Sequence, residues 1–372
     1  DVAQPKQAVQ LADGSTDFNG SSDYISGIGN CPTGDWTVSA WFYRDVTGAY
    51  HAIYSANVQI AIYATSANKI RIHYGGTGDW KDGTTTISAG QWYHIAGTWD
   101  GSTPYMYLNG SSEAFSATAG TPNNPTAEAG FIGRKSASLG DYYNGKLANI
   151  GIWSSALTQT QVQELMFTEK YAGLSSGLKT NLVSWYDLGS ETLGSELITN
   201  GGFTSNTSGW AAEASAALSS AGSGQSGNCL QILEDGGSSP YATSTSITVV
   251  AGRSYRASAW VKQGTESTWR WYVEDMSNTA DIYAPASAEA TGSWVEHTHD
   301  FVAPSGCSSI QIWVQQICSS SAATTLFFDT ISVKEITIAD LQGSNDGSII
   351  GATTNTGYTS SPHGVVDPIN YG

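Results

Sequence analysis

The chain has 372 residues and a formal net charge of −17, and 13 % of its residues are charged, against roughly 25 % in typical soluble domains. Its 15 Lys and Arg residues are scattered, which argues against nucleic acid and anionic membranes as partners. No apolar stretch reaches the roughly 18 residues of a membrane-spanning helix, so we expect no membrane insertion. No signal segment precedes Asp1, and we expect a processed or trimmed chain.

Period-two alternation of apolar and polar residues dominates the first half of the sequence, as is typical of half-buried strands. Asp100-Gly101 and Asn109-Gly110 are turn signals after two such runs. The clearest strands predicted from this pattern are residues 36–42, 70–74, 93–99 and 105–108.

One stretch has a helical pattern instead. Thr158 and Gln161 form a capping-box pair, and Val162, Leu165 and Met166 then share one face. The sequence therefore predicts one short helix at residues 158–170.

Beyond the helix the sequence predicts a strand at residues 182–187 and changes character near Glu196. A second strand-rich block extends to Glu335, and the Gly- and Asn-rich residues 340–372 follow. We predict an all-β fold of two antiparallel β-sandwich (jelly-roll) domains, with one short helix near the end of the first.

Four motifs of the first block occur together in a familiar order. They are residues 17–24 (DFNGSSDY), 36–41 (WTVSAW), 92–101 (WYHIAGTWDG) with its hairpin end at 108–110 (LNG), and 144–153 (NGKLANIGIW). Over roughly residues 10–190 the chain resembles the laminin-G-like, pentraxin-like group of concanavalin-A-type jelly rolls.

Motifs of the second block resemble the carbohydrate-binding modules of families four, nine and twenty-two, over roughly residues 194–335. They are residues 196–203 (ELITNGGF), 255–262 (YRASAWVK), the Trp294 turn leading to Phe301, and 327–333 (FFDTISV).

The join between the blocks indicates an insertion. In laminin-G-like chains a strand such as residues 182–188 runs directly into a Gly-Asn-Asp-Gly segment, and here residues 343–347 (GSNDG) follow only after the second block. Insertion at an exposed loop is thermodynamically cheap. We predict a jelly roll at 1–190, an inserted module at 191–337, and a C-terminal arm at 338–372 that completes the first domain or contacts a neighbour.

The first resemblance includes glucanases, which need a closely spaced Glu-Asp-Glu set on one strand. No such run occurs, so we expect no enzyme. The second resemblance implies a structural calcium near Gly201, Gly202 and Asp329, because carbonyl and carboxylate oxygens suit that ion. We expect no other cofactor.

Sugar binding requires exposed aromatic rings, on which pyranose faces stack. Alternation puts Trp260, Tyr272 and Trp313 on the polar faces of three predicted strands. This predicts either a sugar platform or rings that are covered by loops, by the helix or by the other domain. Trp80, Tyr142 and Tyr143 are the equivalent candidates in the first domain.

Two further questions stay open at this point. Cys307 and Cys318 bracket a predicted strand, and a disulfide and free thiols are both compatible with that spacing. Chains with few charged residues, two lectin-like modules and no catalytic carboxylate set resemble bacteriophage virion structural proteins. This resemblance implies a tail fibre, adhesin or capsid decoration at the virion surface. We then expect glycan or host-surface attachment, with other virion proteins and further copies of the chain as partners. The alternative is a secreted, extracellular bacterial polysaccharide-binding accessory module or adhesin.

Overall fold

The structure is a computed structural model. It describes residues 9–10, 14–57, 59–76, 78–120, 123–135, 140–214, 216–234, 239–318, 323–355 and 363–364. These residues form a nearly all-β protein of antiparallel sheets, which confirms the predicted fold class.

The chain divides into two compact units. The first unit consists of Asp1–Thr192 together with Thr337–Gly372, and the second consists of Leu193–Ile336. The first unit is therefore formed from two separate stretches of the sequence.

The strands are numbered in chain order. Those of the first stretch are β1 Val9–Gln10, β2 Ser15–Asn19, β3 Tyr24–Ser26, β4 Trp36–Arg44, β5 His51–Ala56, β6 Ile60–Ala64, β7 Ile70–Tyr74, β8 Trp80–Gly83, β9 Trp92–Trp99, β10 Pro104–Leu108, β11 Ser111–Ser112, β12 Phe115–Ala119, β13 Phe131–Ile132, β14 Asn144–Trp153 and β15 Leu182–Tyr186. Those that follow are β16 Thr192–Glu196, β17 Trp210–Glu213, β18 Ala216–Gly222, β19 Asn228–Glu234, β20 Tyr241–Ser244, β21 Ile247–Thr248, β22 Ser254–Gln263, β23 Thr268–Asp275, β24 Ala280–Tyr283, β25 Ala288–Glu289, β26 Val295–Val302, β27 Ser309–Gln316 and β28 Thr325–Ile338. The last three are β29 Gly347–Ile350, β30 Thr353–Asn355 and β31 His363–Gly364.

Two sheets form most of the first unit. One has the order β11-β10-β9-β4-β14-β2-β30, with β15 also paired to β14, and the other runs β12-β8-β7-β6-β5-β13-β3-β29. The unit's core is strongly aromatic, because Trp36, Trp99 and Tyr74 are almost fully buried. Tyr74 and Trp99 stack with ring centroids 5.7 Å apart.

The helix α1 spans Gln159–Met166, and its capping box is present as predicted: Thr158 and Gln161 bond reciprocally. The apolar face of α1 is buried in the first unit. The helix ends four residues before the predicted end, because the N–H groups of Phe167 and Thr168 bond three residues back, which tightens and closes the last turn. A 3₁₀ turn at Tyr171–Gly173 and a short helix α2 at Ser176–Lys179 follow.

The C-terminal stretch of the first unit pairs with strands from its N-terminal stretch. Strand β29 pairs with β3, and β30 pairs with β2. The Tyr186 hydroxyl donates to the carbonyl of Asn345 at 2.7 Å, and the backbone N–H of Trp185 donates to Asp340 at 3.0 Å. Strand β15 and residues 340–350 are thus held together by backbone and side-chain hydrogen bonds.

The second unit is a sandwich of two antiparallel sheets. One has the order β18-β19-β28-β22-β26, with β16 also paired to β28. The other has the order β17-β20-β27-β23-β24, with β21 on β27 and β25 on β23. Inward-facing residues of both sheets, such as Val261, Trp271 and Ile312, form one hydrophobic core.

All four cysteines are free thiols. The Sγ of Cys307 bonds to the carbonyl of Ser309, whereas that of Cys318 lies against the Thr324 hydroxyl. Of the two alternatives for Cys307 and Cys318, the structure therefore favours free thiols.

Candidate functional site

Three aromatic rings pack against one another on the outer face of one sheet of the second unit. Tyr241 on β20, Trp313 on β27 and Tyr272 on β23 are all partly exposed. Trp313 stacks on Tyr241 with centroids 5.2 Å apart, and Tyr272 meets Trp313 edge-on at 6.2 Å. We call these three residues the ring platform.

Strand alternation explains why the rings point outward. Ile312 and Val314 flank Trp313, and Trp271 and Val273 flank Tyr272, and all four are buried in the core. Because neighbouring residues of a strand point to opposite faces, Trp313 and Tyr272 must face outward, and they are opposite each other in register.

Polar side chains fix the platform and border it. Gln315 accepts a hydrogen bond from Arg270 Nε at 2.7 Å, and its amide donates to the carbonyl of Ser239 at 2.9 Å. The guanidinium of Arg270 lies 5.1 Å from the Tyr272 ring centre. Gln311 is the acceptor for the Trp313 indole N–H at 3.4 Å. Amide and guanidinium groups thus converge on the rings.

A pair of carboxyl groups borders the platform beyond Tyr272. Glu274 on β23 is opposite Asp281 on β24 in register. Burial raises the pKa of Glu274 to about 7, and a hydrogen bond with Asp281 and the charges of Asp281 and Asp275 act in the same direction. At neutral pH this pair therefore carries a proton part of the time and can both donate and accept hydrogen bonds.

The structure does not bring Trp260 to the ring platform. Trp260 is on β22, which belongs to the opposite sheet of the sandwich, where it pairs with Glu296 and Asp329. Alternation along the strand correctly placed Trp260 on the outward face, but it carries no information about which of the two sheets the strand joins. Tyr241 was missed by the sequence reasoning; the signal was the short β20 strand, in which the buried Ala242 forces Tyr241 outward.

In the first unit, Trp80 on β8 contributes to a cavity of about 320 Å³. The guanidinium of Arg71 lies 3.6 Å from the Trp80 ring centre and forms a two-point ion pair with Asp82. We call this space the Arg71 cavity; its lining residues are Tyr50, Tyr63, Arg71, His73, Trp80, Lys135 and Asp141.

The other two aromatic candidates of the first unit lie apart from the cavity lining. Tyr142 is partly exposed and packs against Tyr24, with centroids 6.3 Å apart. Tyr143 is fully buried and its hydroxyl donates to the carbonyl of Tyr43 at 2.9 Å. Its ring offers no face to a ligand, so the assignment of Tyr143 to sugar binding is corrected: of two adjacent tyrosines, one faces the core.

Two of the residues expected to hold calcium already make hydrogen bonds within the protein. The carboxylate of Asp329 is fully buried and accepts hydrogen bonds from the backbone N–H groups of Ser226 and Thr330. The carbonyl of Gly201 accepts from the N–H of Ile331. Gly202 adds no side-chain oxygen. Within the described ranges, no group of three or more His, Cys, Asp or Glu side chains is arranged to hold a metal ion. Calcium at this place remains a prediction that the hydrogen bonds do not support.

Models of known protein families match the sequence of each of the two units. Residues 18–163 match the family model described as "Concanavalin A-like lectin/glucanases superfamily". Residues 195–320 match the one described as "Carbohydrate binding domain". The chain combines a concanavalin A-like jelly roll with a carbohydrate-binding domain. The jelly roll is the first unit, and the carbohydrate-binding domain is the second; the predicted resemblances of both blocks are confirmed.

Several solved structures are similar over parts of the chain. A pentraxin from Limulus polyphemus is 22 % identical, with 43 % of this chain and 84 % of that chain covered and a TM-score of 0.35. The xylan-binding CBM22-1 domain of Xyn10C from Paenibacillus barcinonensis is 18 % identical over 38 % and 95 % of the two chains, with a TM-score of 0.31.

A third similar structure, from Bacteroides ovatus, is 19 % identical over 51 % of this chain, with a TM-score of 0.39; the chain spans about half, 54 %, of that protein's length. No curated protein matches the sequence. Among the described helices, none is long and apolar enough to cross a membrane.

Proposed function

We propose that this chain is a non-catalytic glycan-binding protein and that the ring platform of its carbohydrate-binding domain contacts the sugar. The observation that carries the proposal is the row of three partly exposed rings, Tyr241, Trp313 and Tyr272, on one sheet face. Such rings bind the apolar faces of pyranoses, and exposed apolar patches on a protein surface mark interaction sites.

The polar border supplies orientation. Gln311 and Gln315 each hold a neighbouring backbone carbonyl through their amide N–H groups, which fixes their oxygen atoms beside the rings. Arg270 is held by Gln315, and Glu274 lies two residues beyond Tyr272 on the same strand face. Fixed donors and acceptors around an apolar floor are the usual composition of a ligand site.

The carboxyl pair beside the platform supports a non-catalytic role. Glycosidases place two carboxyl groups roughly 5 to 9.5 Å apart, on either side of the scissile bond. Glu274 and Asp281 are hydrogen-bonded to each other, so no sugar fits between them. We expect no release of reducing ends when the pure protein is incubated with the polysaccharide it binds.

The platform is tested by Trp313→Ala in the full chain, with Trp260→Ala as the matched control on the opposite sheet. Removing the central ring of the three should weaken binding to an insoluble or soluble polysaccharide by roughly ten- to a hundredfold, since central aromatic residues contribute most to binding. Trp260→Ala should leave affinity unchanged in the same titration. Equal losses in both variants, or none in either, would contradict the platform.

We further propose an extracellular setting, as a bacteriophage tail fibre, adhesin or capsid decoration that contacts other virion proteins and further copies of the chain. Few charges and two lectin-type folds support it, but they support a secreted bacterial polysaccharide-binding accessory module or adhesin equally. Immunogold electron microscopy separates the two: label on purified virions supports the first, whereas label only on free protein or on cell surfaces supports the second.

A further inference from the structure

The Arg71 cavity differs in charge from the chain as a whole. The protein has a formal net charge of −17 and only 15 Lys and Arg residues, yet two of them, Arg71 and Lys135, line one cavity of about 320 Å³, whose lining among the described residues includes one acidic residue, Asp141. We propose that this cavity is a second carbohydrate site, which binds an acidic sugar residue through its carboxylate. This site is in the jelly roll and does not depend on the ring platform.

Arg71 is held in one orientation that leaves part of its guanidinium available. Its Nε and Nη2 bond to the two oxygens of Asp82 at 2.6 and 2.9 Å, and its plane lies over Trp80. The remaining nitrogen, Nη1, makes no hydrogen bond to any residue in the described part of the chain. A planar guanidinium fixed in this way presents oriented N–H donors to a carboxylate.

Lys135 supplies the second cation. Its ammonium lies 4.0 Å from the carboxylate of Asp141, a distance at the limit of an ion pair, and both side chains are partly exposed. Such a pair contributes little stability and is readily replaced by a better-placed anion. The carboxylate of a ligand would therefore compete with Asp141 for Lys135, while Asp141 becomes free to accept hydrogen bonds from hydroxyl groups.

The floor of the cavity is uncharged. His73 is buried, and burial together with the charge of Arg71 lowers its pKa to about 4, so its imidazole is neutral at physiological pH. It packs edge-on against Tyr63, with centroids 5.5 Å apart. A neutral imidazole can bond to a hydroxyl group and does not add a third cation.

Aromatic walls favour a sugar over a bare inorganic anion. Trp80 is partly exposed and Tyr50 is exposed, and the guanidinium of Arg71 lies 5.7 Å from the Tyr50 ring centre. A phosphate or sulfate ion would leave the exposed parts of these rings in water, whereas the C–H groups of a sugar ring pack against them. The volume is near the lower end of small-ligand pockets, roughly 300 to 1,000 Å³, which suits one or two sugar units.

The test uses ligand pairs that differ only in the acid group. Oligogalacturonate is compared with the matching galactose oligosaccharide, and glucuronate, mannuronate and sialic acid complete the panel, all titrated calorimetrically against the full chain. At least one acidic sugar should bind, its neutral counterpart should bind at least about tenfold more weakly, and affinity should fall with added salt.

Variants assign the binding to the cavity. Arg71→Gln should lower affinity for the acidic sugar by about tenfold or more. Lys135→Gln should lower it by a smaller factor, because the Lys135 ammonium, whose ion-pair partner among the described residues is Asp141, is less firmly held. Trp313→Ala should not change it. Melting curves verify that Arg71→Gln is folded, and Lys135→Gln provides the test if it is not.

Two results would overturn the proposal: no acidic sugar of the panel binds, or binding is lost in Trp313→Ala and retained in both cavity variants. The second result would assign acidic sugars to the ring platform. The ring platform has its own test: it is contradicted if Trp313→Ala does not change the affinity for a neutral polysaccharide.

Discussion

The two domains present aromatic rings in different ways. In the carbohydrate-binding domain, Trp313 is central in a row of rings on an open sheet face, with amides around it. In the jelly roll, Trp80 is covered on one face by Arg71 and borders a cavity lined by the basic side chains of Arg71 and Lys135 and the acidic side chain of Asp141. Alternation along a strand decides that a ring faces outward, and its neighbours from other strands then decide what that ring can bind.

Buried titratable groups also differ between the domains. The jelly roll buries His51, His73 and His94, and burial lowers the pKa of each, to about 4 for the first two and about 3 for the third. The carbohydrate-binding domain has the carboxyl Glu274, whose pKa burial raises to about 7. These shifts have opposite consequences for stability as the pH falls.

The largest expected effect comes from deleting residues 340–372. The deletion removes β29, the hydrogen bond from Tyr186 to Asn345 and the buried side chain of Ile349. Because losing one buried Ile side chain already costs about 2 to 5 kcal/mol, the melting temperature of the jelly roll should fall by roughly 10 °C or more.

Hydrogen exchange measured by mass spectrometry assigns the loss to a domain. Protection should fall in β3 and β15 and stay unchanged in β27, and Ile349→Ala should give a smaller effect of the same kind. Loss of protection in β27 with none in β3 would mean that the C-terminal segment serves the carbohydrate-binding domain.

Acid should destabilise the jelly roll next most strongly. The three histidines are neutral in the folded state and take up protons on unfolding below pH 6.5, so their contribution is complete above that pH and is lost as the pH falls toward 4. For the fully buried His94, this is on the order of a few kcal/mol.

The measurement is unfolding of the full chain at pH 7.5 and pH 5, followed by the same domain-resolved hydrogen exchange. His94→Gln, which cannot titrate, should reduce the pH dependence of the jelly roll, although it also alters the bond between Ser39 and His94. An identical pH slope in both proteins would exclude His94 as the cause.

Much of the fold was predictable from local patterns, and much of the site was not. Alternation predicted the strands, and Thr158 with Gln161 predicted the start of α1. Each of these signals is contained within a few consecutive residues of the sequence. Tyr143 and Trp260 were assigned differently by the structure, since neither the choice between adjacent tyrosines nor the sheet that a strand joins is a local property.

The Arg71 cavity illustrates the same limit. Its lining residues extend from Tyr50 to Asp141, and the pairing of β5, β6, β7 and β8 brings most of them together. Trp80 was selected from the sequence as an aromatic residue in a loop-like motif, but nothing local predicted that Arg71 would lie on it. Cation and ring are nine residues apart and meet only because β7 and β8 are adjacent.

A smaller effect is expected at Glu274. Its folded pKa lies above the value of about 4.5 expected for the unfolded chain, so its stabilising contribution is complete below pH 4.5 and is lost as the pH rises through 7. Glu274→Gln stays neutral throughout. The melting temperature of Glu274→Gln minus that of the unchanged protein should therefore be larger at pH 8 than at pH 5. The increase should be no more than about 2 °C, because solvent screens this partly exposed group. Asp281→Asn is the matched variant and should give a change of the same sign. If the difference in melting temperature between either variant and the unchanged protein does not vary with pH, the carboxyl pair is excluded as the cause.

The smallest effect is expected from calcium. Each oxygen of Asp329 accepts an N–H group, Oδ2 from Ser226 and Oδ1 from Thr330, so a cation would compete with these donors for the carboxylate. Adding millimolar calcium, or a chelator, should therefore shift the melting temperature of the carbohydrate-binding domain by less than about 1 °C. A stabilisation of several degrees that Asp329→Asn removes would instead establish the calcium site expected from the family resemblance, and it would mean that Ser226 and Thr330 release the carboxylate when the ion binds.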